Sequence, residues 1–107
     1  MSLREKQEIF ASMVPRLVDY IFVRGYTCTL GDCYRDERVT YGHPNSMHRK
    51  RLAIDLNLFK DGKYLSDSED HRQFGEYWES LSPKNTWGGK EDGNHYSAFA
   101  EDYGMKY

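Results

Sequence analysis

The chain has few of the features that mark disulfide-rich, membrane-spanning or nucleic-acid-binding proteins. Among its 107 residues there are only two cysteines, Cys28 and Cys33, and without a second pair they cannot supply the four ligands of a structural zinc site. No apolar run approaches the ~20 residues that a membrane span requires. The net charge is −2, from 15 basic and 17 acidic residues, so no strong positive field predicts nucleic acid as a partner.

The composition and length of the chain predict one globular domain over residues 1–107. Hydrophobic residues make up 38% and charged residues 30%, which is typical of folded rather than disordered chains. A chain of this length has room for a single modest core, and we expect a monomer. The N-terminal segment is amphipathic and lacks the apolar stretch of a signal peptide. We therefore expect a soluble protein that is made in the cytoplasm.

Apolar periodicity predicts a helix at the N-terminus. Ser2 and Glu5 fit a capping box, and apolar residues then recur at three- and four-residue steps up to Ile21. Pro15 falls inside this pattern, so either the helix kinks there or a second helix starts with proline at its first position. Gly25 stands near the expected C-terminal cap.

The middle of the chain predicts short strands. Residues 26–30 and 33–35 look like two strands about a turn, and residues 36–47 like a surface loop. The clearest strand covers residues 53–59, where apolar and polar residues alternate and Asp55 is turned away from the core face. Residues 63–65 predict a short returning strand.

A second helix is predicted before Pro83, with Asp67 or Ser68 as its cap. Its apolar face consists of Phe74, Tyr77, Trp78 and Leu81. His71 falls on its polar side and is expected at the surface, whereas His95 lies in a last strand. The tail, residues 98–107, has no clear pattern. The mixed order predicts an α+β fold, a small antiparallel sheet with flanking helices.

Two segments contain the residues that indicate chemistry. Residues 46–55 read SMHRKRLAID and residues 87–95 read WGGKEDGNH. They supply two histidines and two aspartates: His48, Asp55, Asp92 and His95. Two imidazoles and one carboxylate can hold Zn²⁺ and leave a fourth position open for water, as in catalytic sites. A further carboxylate three residues before the last histidine can act as a base on that water.

These segments resemble the zinc metallopeptidases of the VanY-type D-alanyl-D-alanine carboxypeptidase family, which includes L-alanyl-D-glutamate endopeptidases of phage lysins. The family's first motif, S-x-H-x-x-G-x-A-x-D, is matched by Ser46, His48, Ala53 and Asp55. Arg51 stands where the family has glycine. The second motif, D/E-x-x-H, is matched by Asp92 and His95. Residues 34–38 (YRDER) and 54–59 (IDLNLF) are similar to two further family stretches.

The resemblance implies a hedgehog/DD-peptidase-like zinc peptidase fold that hydrolyses a peptide bond in the stem peptide of peptidoglycan. It implies Zn²⁺ as the cofactor, with His48, Asp55 and His95 as ligands. Asp92 would take a proton from the attacking water. Arg35 would stabilise the developing oxyanion.

The residues around this centre have alternative interpretations. Arg38 is the alternative oxyanion cation if the loop places it better. A separate alternative for Arg35 is that it merely pairs with a surface carboxylate. Ser46 binds either substrate or the backbone of its own motif. Trp87 either forms the cleft wall or packs in the core. His43 is interpreted as a surface residue, with lining of the cleft as the alternative.

The substrate specificity also stays open at this point. We favour an L-Ala–D-Glu endopeptidase, as in a phage or prophage lysin released through a holin, over a D-Ala-D-Ala carboxypeptidase. A non-catalytic, zinc-containing wall-binding module is the third alternative. For Arg51, either the backbone is ordinary where the family's glycine suggests positive φ, or the side chain binds an anionic group of the stem peptide.

Overall fold

In the computed structural model, which describes residues 1–42 and 45–107, two α-helices pack on a five-stranded antiparallel sheet. The helices are α1 (Leu3–Val23) and α2 (Arg72–Leu81). The strands are β1 (Thr27–Leu30), β2 (Ala53–Lys60), β3 (Lys63–Leu65), β4 (Asn85–Trp87) and β5 (His95–Ala98). Their order is β1-β2-β5-β4, and β3 pairs with β2. The predicted α+β class, with a small antiparallel sheet and flanking helices, is confirmed.

Helix α1 begins with the predicted capping box. Ser2 Oγ accepts the Glu5 N–H (3.1 Å), and the Glu5 carboxylate accepts the Ser2 N–H (2.8 Å). The helix continues through Pro15 to Val23, so no second helix starts at the proline. Its buried face consists of Phe10, Met13, Leu17 and Ile21. The chain then turns at Gly25, whose φ of +88° suits glycine.

Strand β2 has the alternation that the sequence predicts. Leu56 and Leu58 are fully buried, whereas Asp55 and Asn57 are only partly buried. The strand turns into β3 through residues 61–62, both at positive φ, as in a tight hairpin. Asp55 therefore lies on the face of the sheet where a site can be open.

The predicted strand over residues 33–35 is wrong. After β1, the Gly31 N–H still bonds Asp55 O (2.8 Å), but the chain then leaves the sheet. The Arg35 N–H instead donates to His48 O (3.1 Å). This bond connects the irregular segment to the 3-10 helix Met47–Lys50, and it brings the Arg35 side chain beside the site.

The predicted surface position of His71 is also wrong. His71 is 3% exposed, and its Nδ1 lies 2.8 Å from Tyr96 Oη on β5. It ends a separate 3-10 helix, Ser68–His71, that precedes α2. A 3-10 turn has three residues instead of 3.6, so the helical periodicity assigned this residue to the wrong face.

The tail, for which the sequence predicts no pattern, packs against the core cluster through Tyr103 and Met105. It forms the 3-10 helix Ala100–Tyr103, entered through Phe99 at φ +63°, and residues 104–107 then reach the site. No helix in the described part of the chain is both long and apolar enough to cross a membrane.

Candidate metal centre

Three side chains with metal-ligating atoms meet where β2 pairs with β5. Asp55 lies directly opposite His95 in the antiparallel register, and the side chains of such a pair project from the same face. His48 comes from the 3-10 helix Met47–Lys50. A hydrogen bond from the Leu52 N–H to Met47 O (3.1 Å) folds this helix back toward β2.

The three ligating atoms converge on one point. Asp55 Oδ1 lies 3.1 Å from His48 Nε2 and 3.6 Å from His95 Nδ1. The two imidazole rings are nearly perpendicular, with centroids 5.0 Å apart. One atom from each residue lies within 4.8 Å of the others, and both histidines are buried. This group can bind a metal ion.

The hydrogen-bond partners of His48 fix the orientation of its imidazole ring at the site. Its Nδ1 lies 3.0 Å from Cys33 O; a carbonyl only accepts, so Nδ1 donates its proton there. Nε2 then faces the Asp55 carboxylate, which is also only an acceptor when ionised. Either His48 is doubly protonated or a cation lies between the two groups. Fixing the tautomer through the second nitrogen is typical of metal-ligating histidines.

Asp55 has the charge that a ligand needs. Burial by itself would raise the pKa of its carboxyl group. The hydrogen bonds with His48 and His95 outweigh burial and lower the pKa to about 2. Asp55 is therefore ionised at neutral pH.

Asp92 lies beside this group without belonging to it. Its Oδ2 is 3.7 Å from His95 Nδ1, and it belongs to the loop between β4 and β5. Burial raises the pKa of Asp92, and the negative charge of Asp55 adds to the rise. A carboxyl group of raised pKa is suited to proton transfer near neutral pH.

A cavity of about 620 Å³ opens over the centre. The three candidate ligands and Asp92 line it, together with Arg35, Ser46 and residues 104–107. The Tyr107 ring meets the His95 ring at an angle of 61°, with centroids 5.2 Å apart. The tail is the part of the site that sequence reasoning missed, since no motif or periodicity marks it.

Arg35 is a cation in the lining of the cavity, and only part of its guanidinium has a hydrogen-bond partner within the described residues. The residue is 8% exposed, and its Nη2 lies 3.4 Å from Asp32 Oδ2. Its Nε is buried and has no hydrogen-bond partner within the described residues. The guanidinium also lies 5.1 Å from the centre of the Tyr41 ring. Arg35 thus has both the predicted place at the site and the alternative carboxylate partner.

Ser46 makes the backbone contact that was one of its two alternatives. Its Oγ accepts the His48 N–H (3.2 Å) and caps the 3-10 helix that contains the histidine. The same residue lines the cavity, so this bond does not exclude contact with a substrate. His43 lies outside the described residues.

Arg38 and Trp87 do not line the described cavity. Arg38 is exposed and pairs with Asp36 at 2.9 and 3.0 Å. Trp87 is 9% exposed and belongs to the core cluster; its Nε1 donates to Gly93 O (2.6 Å). Neither residue therefore has a place in this cavity, and their predicted contact with a substrate stays a prediction. The core alternative for Trp87 is confirmed.

Arg51 keeps the backbone that the family's glycine suggests. It has φ +56° and ψ +37° and caps the 3-10 helix of His48, so an ordinary backbone here is wrong. Its guanidinium lies 4.0 Å from the centre of the Tyr34 ring. The side chain does not contribute to the lining of the described cavity.

No family model matches the chain, and no curated protein sequence matches it significantly.

Proposed function

We propose that this protein is a zinc-dependent peptidase that cleaves a peptide bond in the stem peptide of peptidoglycan. The observation that carries the proposal is the convergence of His48, Asp55 and His95 in a cavity that also contains Asp92 and Arg35. A metal-binding module without catalysis needs neither of the last two residues. The motif resemblance at these positions supports the same assignment.

The donor set fits zinc. Two imidazole nitrogens and one carboxylate oxygen are the ligands of many catalytic zinc sites. With bonds of ~2.0–2.1 Å, two ligand atoms of a tetrahedral site lie ~3.3–3.4 Å apart, and the distances from Asp55 Oδ1 to the histidine nitrogens are 3.1 and 3.6 Å. Three protein ligands leave one position for water or substrate, and the adjoining cavity gives access to it.

His48, Asp55 and His95 would hold the zinc, which would supply Lewis acidity that lowers the pKa of a coordinated water toward ~7 and polarises a carbonyl oxygen. Asp92 accepts the proton of the attacking water at its carboxylate and passes a proton to the leaving amine. Arg35 donates hydrogen bonds to the oxyanion that develops on the substrate. Its place in the lining of the cavity supports this role, because a guanidinium carries several N–H donors.

We favour L-Ala–D-Glu endopeptidase cleavage over removal of a terminal D-Ala. A carboxypeptidase needs a positioned cation that recognises the free carboxylate of its substrate. Arg51 was the candidate for this cation in the sequence. It stacks on Tyr34 and does not line the described cavity, so this residue no longer supports the carboxypeptidase.

Digestion of purified peptidoglycan tests the proposal. The zinc-loaded protein, the chelator-treated protein and the chelator-treated protein with zinc restored are compared by mass spectrometry of the soluble muropeptides. We expect fragments that begin at D-Glu from the first and third samples only. Release of free D-Ala alone would identify the carboxypeptidase instead. No release by the zinc-loaded protein from any wall type would contradict a peptidase.

A further inference from the structure

The loop between β4 and β5 is held at Gly93 by two side chains from outside the cavity. The Gly93 N–H donates to Ser68 Oγ (3.0 Å), and the indole N–H of Trp87 donates to Gly93 O (2.6 Å). A Cβ atom on Gly93 would overlap the Cα and Cβ of Ser68. Only glycine permits so close an approach.

The neighbours of Gly93 are fixed as well. Asp92 O accepts the His95 N–H (3.0 Å), and Asn94 O accepts the Leu56 N–H of β2 (3.0 Å). The Gly88 N–H donates to His95 O (2.9 Å) and closes the loop. The bonds at Gly93 therefore complete a continuous set over residues 92–95. The Asp92 carboxylate and the His95 imidazole project from this fixed backbone.

The two anchoring side chains differ in burial: Trp87 belongs to the core cluster, and Ser68 is partly buried. The Trp87 N–H donates to Glu79 of α2 (3.0 Å). Its indole lies against Gly75 of α2, where a Cβ would overlap the ring. Ser68 begins the 3-10 helix that leads into α2. Through these contacts, helix α2 and the 3-10 helix that precedes it hold the loop between β4 and β5 in position.

We propose that Ser68 and Trp87 are positioning residues, which act through Gly93 to hold Asp92 and His95 in their places at the metal centre. Neither anchor lines the described cavity, so their action is not contact with the substrate. The catalytic part of this proposal rests on the proposed peptidase function. The part that concerns metal binding does not.

Four single variants and one double variant test the proposal. Ser68→Ala removes the acceptor for the Gly93 N–H, and Ser68→Thr retains a hydroxyl. Trp87→Phe retains an aromatic ring and removes the indole donor. Ser80→Ala is the matched control, because the Ser80 hydroxyl bonds only the Tyr77 carbonyl on the exposed side of α2. The double variant combines Ser68→Ala with Asp92→Asn.

For turnover, we expect Ser68→Ala and Trp87→Phe to lower kcat at least about tenfold, measured per folded, zinc-loaded molecule. We expect KM to change by less than about twofold, because the misplaced groups contact the transition state and not the bound substrate. Ser68→Thr restores kcat, and Ser80→Ala leaves it unchanged. In the Asp92→Asn background, Ser68→Ala causes little further loss, because both changes affect the same group. Full additivity in the double variant would show that Ser68 does not act through Asp92.

Zinc affinity is measured separately, by competition with a chromophoric chelator and without substrate. We expect the dissociation constant to rise about tenfold in Ser68→Ala and Trp87→Phe, as for other outer residues of metal sites, and to stay unchanged in Ser80→Ala. If the wild-type protein proves inactive on peptidoglycan, the function is wrong, and this measurement still tests the positioning of His95. Wild-type zinc affinity in both anchor variants would contradict that positioning.

Discussion

The two sides of the cavity are built in different ways. On the sheet side, Asp55 and His95 come from paired strands, and the loop of Asp92 is hydrogen-bonded at successive residues. On the loop side, Arg35 and Ser46 come from an irregular segment between β1 and β2. There the polar side chains that line the cavity include the Arg35 guanidinium and the Ser46 hydroxyl.

The two sides of the cavity meet two different requirements of the site, metal binding and substrate binding. A metal ion needs ligand atoms within a few tenths of an ångström of fixed positions, and such precision comes from sheet register and supporting hydrogen bonds. A peptide substrate needs donors that are available when it arrives, which an irregular loop can supply. If this comparison holds, the sheet side, together with His48 from the 3-10 helix between β1 and β2, governs metal binding and proton transfer, whereas Arg35 of the loop side governs stabilisation of the substrate.

Removal of the metal ligands has the largest expected effect. We expect the double variant His48→Ala/His95→Ala to lose bound zinc and all turnover, because one remaining carboxylate cannot hold the ion. Elemental analysis should find one zinc per wild-type chain and essentially none in the variant. Arg38→Ala, which changes an exposed residue of the loop segment, is the control and should keep full zinc. Zinc retained at the wild-type ratio by the double variant would disprove the ligand assignment.

Asp92 tests whether the sheet side also moves the proton. We expect Asp92→Asn to keep its fold and zinc and to lose about 10²–10⁴-fold in kcat, the usual contribution of general acid–base catalysis. Turnover of muropeptides and zinc content are measured on the same preparation. Near-normal turnover would mean that another group activates the water.

A comparison of Arg35 with Arg38 tests whether the loop side stabilises the substrate without affecting metal binding. We expect Arg35→Met to lower kcat by about 10²-fold, as the loss of one oxyanion donor does, with zinc content unchanged. Arg38→Met is the matched control, since this arginine is exposed and pairs only with Asp36. Loss of zinc in Arg35→Met would contradict the proposal that Arg35 acts on the substrate and not on metal binding. Equal effects of the two variants would mean that the cavity contact of Arg35 is unimportant.

The titration of His71 is expected to make the stability of the folded protein depend on pH. Burial lowers its pKa to about 4, below the value of ~6.5 in an unfolded chain. Between these pH values the unfolded chain binds a proton that the folded chain does not. Stability is therefore full above about pH 6.5 and decreases as the pH falls toward 4, by at most about 3 kcal/mol from this group.

Chemical denaturation at several pH values, with chelator present, measures the effect. His71→Gln keeps a polar partner for the Tyr96 hydroxyl and removes the titration. We expect its stability to fall less steeply than that of the wild type across this window. Equal slopes would show that His71 does not contribute to acid destabilisation.

Substitution of Arg51, which lies between the 3-10 helix of His48 and β2, has the smallest expected effect on stability. Arg51→Ala and Arg51→Gly both remove the stacking on Tyr34, but only glycine relieves the left-handed backbone. We expect Arg51→Gly to be more stable than Arg51→Ala by about 1 kcal/mol. Urea denaturation of the two variants measures the difference, and equal or greater stability of Arg51→Ala would contradict a strained backbone.

The sequence predicts the sheet side far better than the loop side. Alternation over residues 53–59 correctly places Asp55 away from the core, because a strand has a period of two whatever its neighbours are. The position of Arg35 depends on a single long-range bond, from its N–H to His48 O, which no local pattern encodes. His71 was misplaced because a 3-10 turn precedes α2. Residues 104–107 carry no periodicity at all, so their approach to the site could not be predicted.

The register of β2 and β5 also links metal binding to the folding of distant parts of the chain. Asp55 and His95 become neighbours only when these strands pair, so the donor set does not exist in the unfolded chain. An ion that binds only the folded form stabilises it by mass action, by about 2.7 kcal/mol when its free concentration is 100 times Kd. Melting temperature should then rise with added metal, and slow metal release should report opening of the β2–β5 ladder.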